Sequence, residues 1–214
     1  MRSQTSLSEE FGVGRSVMRE ALRLLDMEGL VIREPNKRVR VAELTAADAE
    51  GLFIVRLSLE VAAARLTVPT MQFEDVGELE GLFAHMAHYG RGKYWAGLTE
   101  PHRAFHMKLV EGGGSRAVAL IRQHFDYAER YQLAYVRQTT EEWATRQAEH
   151  RGLIDAAATG DAELLTSRLV EHYARAAARL CLCLDPDYEP AKLRDTVKAM
   201  APGCDAALEA ISSP

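Results

Sequence analysis

The sequence predicts a mainly α-helical protein with a short mixed segment at its N-terminus. From Thr45 onward, apolar residues recur at helical spacing, and few stretches alternate between apolar and polar residues as a strand would. Before Thr45, two short helical stretches are followed by two β-branched stretches around a turn. With 214 residues, 47% of them hydrophobic, the chain can bury a core in one large or two modest domains.

Composition and charge narrow the functional classes. The chain has no run of eighteen apolar residues, and its polar first residues lack the apolar stretch of a signal peptide, so we expect a cytoplasmic protein without a membrane span. The net charge is -5, but residues 1–42 carry eight Lys and Arg against six Asp and Glu, whereas the remainder carries 18 against 25. Only the N-terminal segment therefore has a positive net charge, which favours binding to the negatively charged phosphates of nucleic acids.

Glycine, proline and capping residues divide the region after Thr45 into helices. The predicted helices cover about 46–67, 73–89, 101–111, 115–138, 141–158 and 162–184, and a last segment covers about 190–211. Thr45 caps the first helix, and Pro101 lies in the first turn of the third. Gly160 ends the fifth helix and Asp161 caps the sixth, which predicts a tight hairpin. The result is an all-helical antiparallel bundle.

The first 44 residues have the pattern of a winged helix-turn-helix. Ser6-Leu7-Ser8-Glu9 has the form of a capping box that opens a short helix, which ends at Gly12-Val13-Gly14. Ser16 can then cap a longer helix that runs to about Gly29. Two β-branched stretches follow on either side of a turn at residues 35–38, and they predict a small β-hairpin, or wing.

This arrangement favours binding to double-stranded DNA. In a helix-turn-helix, the N-terminal end of the second helix enters the major groove, and flanking cations hold the phosphates. The candidate DNA contacts are Arg15, Ser16 and Arg19 on that helix, and Lys37 and Arg38 in the wing. An arginine can bond a guanine edge through two parallel hydrogen bonds. The helix arginines also fit a solvated face, because with Arg23 they are spaced at i, i+4 and i+8.

Residues 7–25, LSEEFGVGRSVMREALRLL, closely resemble the recognition region of GntR-family regulators, and Glu28-Gly29-Leu30-Val31 follows at the position of the family's wing. The resemblance implies a homodimeric transcriptional regulator that binds a pseudo-palindromic operator. Family members carry a further helix before this region. Because only six residues precede Leu7, the predicted domain lacks that first helix, and Thr5 stands where the family often has an arginine.

Four of the seven histidines fall into a pattern that helical geometry connects. His102 and His106 are spaced i, i+4 and share one face of a predicted helix. His150 and His172 lie on opposite arms of the predicted hairpin, ten to twelve residues from its turn, and therefore reach the same level. A single histidine is more often a core or surface residue with its own hydrogen bond. The joint spacing favours four imidazoles converging inside the bundle, where metal sites of bundles are built.

The same positions resemble the FCD domain, the ligand-binding domain of the FadR-like branch of the GntR family. Metal-binding members use an Asp-x-x-x-His pair on one helix and two histidines on later helices. Phe105-His106, Glu149-His150-Arg151 and Glu171-His172 match those regions, and His102 occupies the aspartate position. The resemblance implies that the metal ligands are His102, His106, His150 and His172.

The replacement of the aspartate by His102 changes the expected metal chemistry. Four neutral nitrogens favour a divalent transition metal such as Zn²⁺ or Ni²⁺ over Mg²⁺ or Ca²⁺, which prefer oxygen. The ion would keep its full charge and attract an anionic effector. We place His102 in the first turn after Pro101, where the helix dipole disfavours a protonated imidazole. Two alternatives stay open: a three-histidine site without His102, and a site that has lost its metal.

The resemblance also implies an effector, namely a small carboxylate or hydroxy acid bound against the metal and an arginine. Arg56 is the first candidate, because a guanidinium in an otherwise apolar helix needs an anionic partner. Its alternative role is an i, i+4 ion pair with Glu60. Arg130, on a neighbouring predicted helix, is the second candidate.

The resemblance extends from Leu7 to about Leu180, and from it we divide the chain into three parts: a DNA-binding domain at 1–44, an effector- and metal-binding FCD-type domain at 45–185, and a helical extension at 186–214. The predicted function is a DNA-binding regulator whose operator binding responds to a carboxylate at a metal-containing pocket. Two alternatives are a metal-binding sensor or dimerisation protein without DNA binding, and a metalloenzyme. We do not expect an enzyme, because adjacent helical residues point about 100° apart, which turns Glu149 and Glu171 away from the ligands beside them.

Overall fold

A computed structural model describes residues 2–35, 38–136 and 143–212, with side chains described for all of these except 132–136. The chain divides into two units, Met1–Leu44 and Thr45–Pro214. The predicted fold class is confirmed: the protein is mainly α-helical, with one small sheet in the first unit. None of its described helices is long and apolar enough to cross a membrane.

The first unit is a helix-turn-helix followed by a hairpin. Its elements are β1 (Arg2–Ser3), α1 (Gln4–Glu10), α2 (Arg15–Met27), β2 (Val31–Glu34) and β3 (Arg38–Val41). The sheet is antiparallel with the order β1-β3-β2. Met18 and Leu22 of α2 pack with Val39 of β3 in a small core, which Leu7 and Leu25 flank. The apolar face of α2 is therefore covered by the wing, and its polar face is left outside.

Two predicted helix starts in this unit are wrong. α1 begins at Gln4, because the Ser3 side chain accepts a hydrogen bond from the Ser6 backbone at 3.0 Å and acts as the N-cap. The Ser8 hydroxyl, which the capping-box pattern left outside the cap, instead donates to the carbonyl of Val13. α2 begins at Arg15 with Gly14 as its N-cap, so Ser16 lies inside the helix. The strand β1 is only two residues long and carries no pattern that predicts it.

The second unit is a helical bundle. Its helices are α3 (Ala46–Thr67), α4 (Phe73–Arg91), α5 (Trp95–Val110), α6 (Ser115–Val136), α7 (Trp143–Ala158), α8 (Ala162–Leu184), α9 (Ala191–Met200) and α10 (Asp205–Ser212). Short 3₁₀ turns lie at Val68–Thr70 and Glu111–Gly113. α3 packs most extensively against α8 and also against α5, α6 and α9. It is apolar around much of its circumference, as a central helix must be, and Phe53 and Leu57 are buried on it.

Local capping signals predicted the two best-packed helices correctly. The Thr45 side chain accepts from the Asp48 backbone at 3.2 Å, and Asp161 accepts from the backbone of Glu163 and Leu164. Gly160 has φ of 70°, which a glycine adopts without strain, so it ends α7 as predicted. α3 and α8 therefore have the predicted bounds. The predicted ends at 138 and 141 lie outside the described residues.

Two other helical predictions need correction. α5 begins at Trp95, so Pro101 lies inside the helix instead of in its first turn. Leu98 is buried in the added turns, and the Trp95 ring contacts that of Trp143 at 6.0 Å between centroids, so tertiary packing extends the helix past its local signal. The segment predicted at 190–211 forms two helices, α9 and α10, separated by a turn in which Gly203 has φ of 93°.

Candidate functional site

Helices α5, α7 and α8 bring the four predicted histidines together. His102 and His106 lie one turn apart on α5, with ring centroids 4.7 Å apart. His150 of α7 lies 5.2 Å from His102 and 5.5 Å from His106. His172 of α8 lies 4.8 Å from His150 and 5.3 Å from His106. We call these four residues the histidine cluster.

Three members of the cluster could together hold a metal ion. His102, His106 and His150 each offer a ring nitrogen, and these nitrogens lie within 4.8 Å of one another. His106 and His150 are buried and His102 is partly buried. His172 lies beside this group of three. A buried, all-nitrogen set of this kind suits a borderline transition metal.

Hydrogen bonds on the opposite side of two rings fix which nitrogen can bind a metal. His150 Nδ1 donates to the Arg146 carbonyl at 2.7 Å, and His172 Nδ1 donates to Glu149 Oε2 at 2.9 Å. A carbonyl or an ionised carboxylate only accepts hydrogen bonds, so both Nδ1 atoms carry the proton. The lone pair of each ring is therefore on Nε2, which is the arrangement that the hydrogen-bond acceptors behind metal-bound histidines impose.

A buried hydrogen-bond network that includes two side chains of α3 determines in the same way which ring nitrogen of His106 carries the proton. The Tyr173 hydroxyl donates to Glu60 Oε2 and accepts from Arg56 Nη2 at 3.0 Å. Because the hydroxyl proton is donated to Glu60, the oxygen can only accept a further hydrogen bond. His106 Nδ1, 3.0 Å away, is therefore the donor. Arg56 Nε also donates to Glu60 Oε1 at 2.9 Å, and both side chains are fully buried.

The resulting donor set fits a metal ion. Nε2 of His106 and Nε2 of His150 are buried and have no hydrogen-bond partner in the described part of the chain. A buried polar atom without a hydrogen-bond partner lowers the stability of the fold by about 1–3 kcal/mol. Two such atoms in one cluster therefore indicate a ligand-binding site. A divalent ion bound to these lone pairs would satisfy both.

Burial keeps the imidazoles of His102, His106 and His150 neutral. Burial, reinforced by the neighbouring imidazoles, lowers the pKa of His102 and of His106 well below the usual value, and burial lowers the pKa of His150 to about 3. A neutral imidazole keeps its lone pair for a metal at pH 7. Our expectation that the helix dipole acts on His102 is wrong, because His102 lies about two turns inside α5.

Glu149 supports the cluster from outside. Burial alone would raise the pKa of its carboxyl, but hydrogen bonds from His172 and Arg175 lower it to about 2. Arg175 Nη1 lies 2.8 Å from Glu149 Oε1 and its Nη2 lies 2.8 Å from Glu171 Oε1. Glu149 is thus a fixed, ionised acceptor that holds the ring of His172 in place.

A cavity of about 90 Å³ adjoins the cluster. Its polar lining consists of Thr99, His102, Glu129, Arg146, Glu149, His150, His172 and Arg179, and its apolar lining includes Phe53, Met86, Trp95, Leu98, Trp143 and Leu180. The site therefore joins the candidate metal ligands to a space in which a small molecule can lie.

The two arginines predicted to bind an effector do not line this cavity. Arg56 is fully buried in its ion pair with Glu60, which was the alternative role, and lies 4.3 Å above the Phe125 ring. Arg130 Nη2 lies 3.6 Å from Asp48 Oδ2. The arginines in the lining are Arg146 and Arg179, which the sequence reasoning missed. The available signal for Arg146 was its position one turn before His150.

The candidate DNA contacts lie on the first unit. Arg15, Ser16 and Arg19 are exposed on α2, and Arg38 is exposed at the start of β3. Lys37 lies outside the described residues. Arg23 differs from the other helix arginines, because it forms an ion pair with Glu20 at 2.7 Å. Arg15 and Arg19 have no such pair within the described ranges.

Comparison with known families identifies both units. The pattern of the bacterial regulatory proteins of the gntR family matches residues 3–41, and the FCD domain matches residues 51–175. The chain belongs to the GntR family of DNA-binding transcriptional regulators and carries an FCD domain. These families are regulators and not enzymes, so the metalloenzyme alternative is set aside for this GntR-family chain.

Named relatives agree with this assignment. YdhC of Bacillus subtilis, an HTH-type transcriptional regulator, is 35% identical over 78 residues, which are 36% of this chain and 35% of YdhC. NedR of Micromonospora viridifaciens, named as a transcriptional regulatory protein, is 32% identical over 100 residues, which are 47% of this chain and 69% of NedR. The match to YdhC thus spans about a third of that protein.

Solved structures show the same fold. E. coli McbR/YncC has a TM-score of 0.68 at 20% identity, covering 83% of this chain and 85% of that one. A GntR regulator from Rhodococcus sp. RHA1 has a TM-score of 0.67 at 23% identity, covering 84% and 86%. At these identities, the likeness establishes the fold of the GntR-family chain and nothing about its ligands.

Proposed function

We propose that this regulator binds its operator under the control of a small carboxylate effector, which binds at a divalent metal ion held by the histidine cluster. One observation carries the proposal: the Nε2 atoms of His106 and His150 are buried without a partner in the described chain, whereas their Nδ1 atoms are engaged. The lone pair of each of these two rings is therefore on Nε2, the nitrogen that would bind a metal ion.

The histidine cluster would hold Zn²⁺ or Ni²⁺. When bound, the ion supplies positive charge and an open coordination position for an oxygen anion. The residues around the cluster orient its rings: the Tyr173 hydroxyl holds His106, the Arg146 carbonyl holds His150 and the Glu149 carboxylate holds His172. Arg146 and Arg179 in the cavity lining replace Arg56 and Arg130 as the candidate partners of the effector carboxylate.

The DNA-binding part of the proposal is a homodimer on a pseudo-palindromic operator, with α2 of each protomer in the major groove. It is supported by the exposed arginines at the N-terminal end of α2, Arg15 and Arg19, and by Arg38 at the start of the wing. Lys37 would contact phosphate beside it. Because the target is the bacterial chromosome, the proposal implies a cytoplasmic protein. Effector binding would shift the population of dimers whose recognition helices match the operator spacing.

The experiment that tests this function begins with selection of bound fragments from a library of bacterial genomic DNA. Affinity for the selected duplex is then measured by fluorescence anisotropy, with and without Zn²⁺ and a panel of small carboxylates. We expect sequence-specific binding that a carboxylate changes in the wild type but not in the His106→Ala/His150→Ala variant. Specific binding that no metal or carboxylate alters would contradict the control mechanism. The absence of any selected sequence would favour a sensor without DNA binding.

A further inference from the structure

The central helix α3 has its charged residues on the buried side. Its stretch 49–64 contains three charged residues, Glu50, Arg56 and Glu60, and each of them is at most 1% exposed. Arg56 pairs with Glu60, and Glu50 accepts two hydrogen bonds from residues that follow α8. The outward side of this stretch therefore carries no charge, although the exposed face of a helix is normally polar or charged.

An apolar stripe runs along that outward side. Its positions are spaced alternately by three and four residues, like the a and d positions of a coiled coil, and they are Leu52, Val55, Leu59, Ala62 and Leu66. Val55 is 38% exposed and Leu66 is 62% exposed, Ala62 is exposed, and the other two are partly exposed. The stripe extends about 21 Å along the helix axis. Single exposed apolar residues are ordinary, whereas a continuous apolar surface of this kind marks a site of interaction.

Helix α9 enlarges this surface. Its last residue, Met200, is 37% exposed, and its sulfur lies 3.5 Å from the Ser58 hydroxyl. Ser58 lies three residues after Val55 and four before Ala62, so it adjoins both of them on the helix surface. The apolar surface thus continues from α3 onto a flexible methionine of α9.

Side-chain size makes the α3 stripe complementary to itself. Two copies of α3 can pair antiparallel about a twofold axis that passes midway between Val55 and Leu59. Val55 then faces Leu59 of the second copy, and Leu52 faces Ala62, so that a larger side chain meets a smaller one at each level. Antiparallel helices that pack along such a stripe interlock their side chains in this way.

The two ends of the stripe carry opposite charges. Asp48, seven residues before Val55, has a side chain that is 60% exposed, and Arg65, beside Leu66, has one that is 52% exposed. Each has a partner in its own chain and enough open surface to meet a second. Antiparallel pairing lays the Asp48 end of one copy against the Arg65 end of the other, whereas parallel pairing would place like charges together. Charge complementarity therefore favours a second copy in the antiparallel orientation.

We infer that α3 is the dimerisation helix of the second unit, and that it packs antiparallel against α3 of a second copy of this chain through the α3 stripe. The inference rests on the homodimer of the proposed function, and it names the surface and the orientation that form that dimer. The interface would lie on the helix whose buried side carries the Arg56–Glu60 pair, which Tyr173 links to the histidine cluster.

The first test changes one residue of the stripe. Sedimentation velocity of the full chain over a range of concentrations measures the dissociation constant of the dimer. Ala62→Glu places a carboxylate opposite Leu52 of the second copy and should raise this constant on the order of 100-fold, because the charge loses its hydration against an apolar surface. Ala84→Glu is the matched control, at an exposed position of α4, a helix that packs against α5 and α7, and should leave the constant unchanged.

A second substitution tests the orientation. Leu52→Lys added to Ala62→Glu gives each copy an ammonium group opposite the carboxylate of the other in the antiparallel pair, and should recover about tenfold of the lost affinity. In a parallel pair the two ammonium groups would face each other, and the double variant would dimerise no better than Ala62→Glu. Recovery also shows that Ala62→Glu acts at the interface and not by unfolding the chain.

Disulfide cross-linking tests the same geometry without introduced charges. Chains with Val55→Cys and chains with Leu59→Cys are oxidised separately and as an equimolar mixture, and the linked peptides are identified by mass spectrometry. We expect the mixture to form dimers linked between positions 55 and 59 faster than either protein alone forms dimers linked at its own position, because the antiparallel pair places these two positions opposite each other.

Each contrary outcome has a distinct meaning. A wild-type dimer whose dissociation constant Ala62→Glu leaves unchanged overturns this inference and leaves the homodimer of the proposed function standing. No recovery in the double variant, or faster cross-linking in the separate proteins than in the mixture, overturns the antiparallel pair and the inference with it. A monomeric wild type, as expected if the first unit or another protein covers the stripe, overturns the inference together with the homodimer. The metal and effector parts of the proposed function are decided by their own assays.

Discussion

The Tyr173 hydroxyl accepts a hydrogen bond of 3.0 Å from His106 Nδ1 and connects the histidine cluster to α3. The same hydroxyl donates to Glu60 and accepts from Arg56, so one buried oxygen joins an ion pair of the central helix to a candidate metal ligand. Because Tyr173 has no second proton to give, the tautomer of His106 is determined by α3. Metal affinity and the stability of the bundle should therefore be coupled through this tyrosine.

Replacing Tyr173 with Phe tests that coupling. The variant loses the acceptor of His106 Nδ1 and leaves Arg56 and Glu60 with unsatisfied buried groups. We expect zinc affinity to fall about 10- to 100-fold, as when other hydrogen-bond partners of metal-bound histidines are removed, and the free energy of unfolding to fall by about 1–3 kcal/mol. Competition with a chromophoric chelator measures the first quantity, and urea denaturation of the metal-free protein measures the second.

Tyr131→Phe is the matched control for this prediction. Tyr131 is also fully buried, but its hydroxyl bonds to Asp48 and to none of the histidines. It should lose stability without a change in zinc affinity. Wild-type affinity in Tyr173→Phe, or an equal loss in both variants, would show that the tyrosine does not act through His106.

The stability of the metal-free protein should decrease in acid below about pH 6.5. Burial lowers the folded-state pKa of His102, His106 and His150, the last to about 3, whereas the unfolded chain binds protons near pH 6.5. The unfolded state therefore takes up protons first, and stability is lost as the pH falls from 6.5 toward the folded pKa. Each neutral histidine contributes about 1.4 kcal/mol per pH unit in that range.

Urea denaturation between about pH 7 and pH 5 measures this slope. His150→Asn should reduce the slope of the free energy of unfolding against pH by the contribution of one histidine. His85→Asn, at an exposed position of α4, should leave the slope unchanged. The same slope in all three proteins would mean that the folded state does not hold His150 neutral.

The exposed arginines of α2 should differ in their effect on DNA binding. Arg23 is held by Glu20 on the helix surface, whereas Arg19 has no ion pair within the described residues. Arg19→Ala should weaken binding to the selected operator by about 1–3 kcal/mol and relax preference at one base pair. Arg23→Ala should have a much smaller effect in the same anisotropy assay. A larger loss of affinity in Arg23→Ala than in Arg19→Ala would indicate that Arg19 belongs to a solvated helix face and does not contact DNA.

Two glycines of α4 should respond in opposite ways to alanine. A Cβ at Gly90 would overlap the Trp143 ring, so Gly90→Ala forces the indole out of place and should destabilise the protein by about 1–3 kcal/mol. A Cβ at Gly81, on the same helix, would meet no described atom within 4 Å, and Gly81→Ala should stabilise by about 0.5–1 kcal/mol. Thermal unfolding followed by tryptophan emission compares them. Equal stability of the two variants would contradict the described position of Trp143.

Local signals predicted much of the bundle and of the cluster. Thr45 and Asp161 determine where α3 and α8 begin through hydrogen bonds to residues three positions away. Contacts this local can be predicted from a short stretch of sequence. The i, i+4 spacing of His102 and His106, together with the hairpin, indicated which imidazoles would lie together. Each of these inferences needed only helical geometry and a turn.

Other features depend on contacts between distant parts of the chain. Tyr173 and His106 are 67 residues apart, and no pattern in the sequence joins them. α5 continues before Pro101 because Trp95 contacts Trp143 from another helix. Arg56 was an ambiguous case, since helix spacing allowed both an effector role and the pair with Glu60, and only the packing around the guanidinium distinguishes them.

The metal site itself is tested by elemental analysis of the purified, untagged protein by mass spectrometry, beside the His106→Ala/His150→Ala variant. His85→Ala/His88→Ala is the control, because both of those histidines are exposed on α4. We expect about one divalent transition metal per chain in the wild type and the control, and none in the His106→Ala/His150→Ala variant. Metal-free wild-type protein that also fails to take up Zn²⁺ or Ni²⁺ would contradict a metal-dependent regulator.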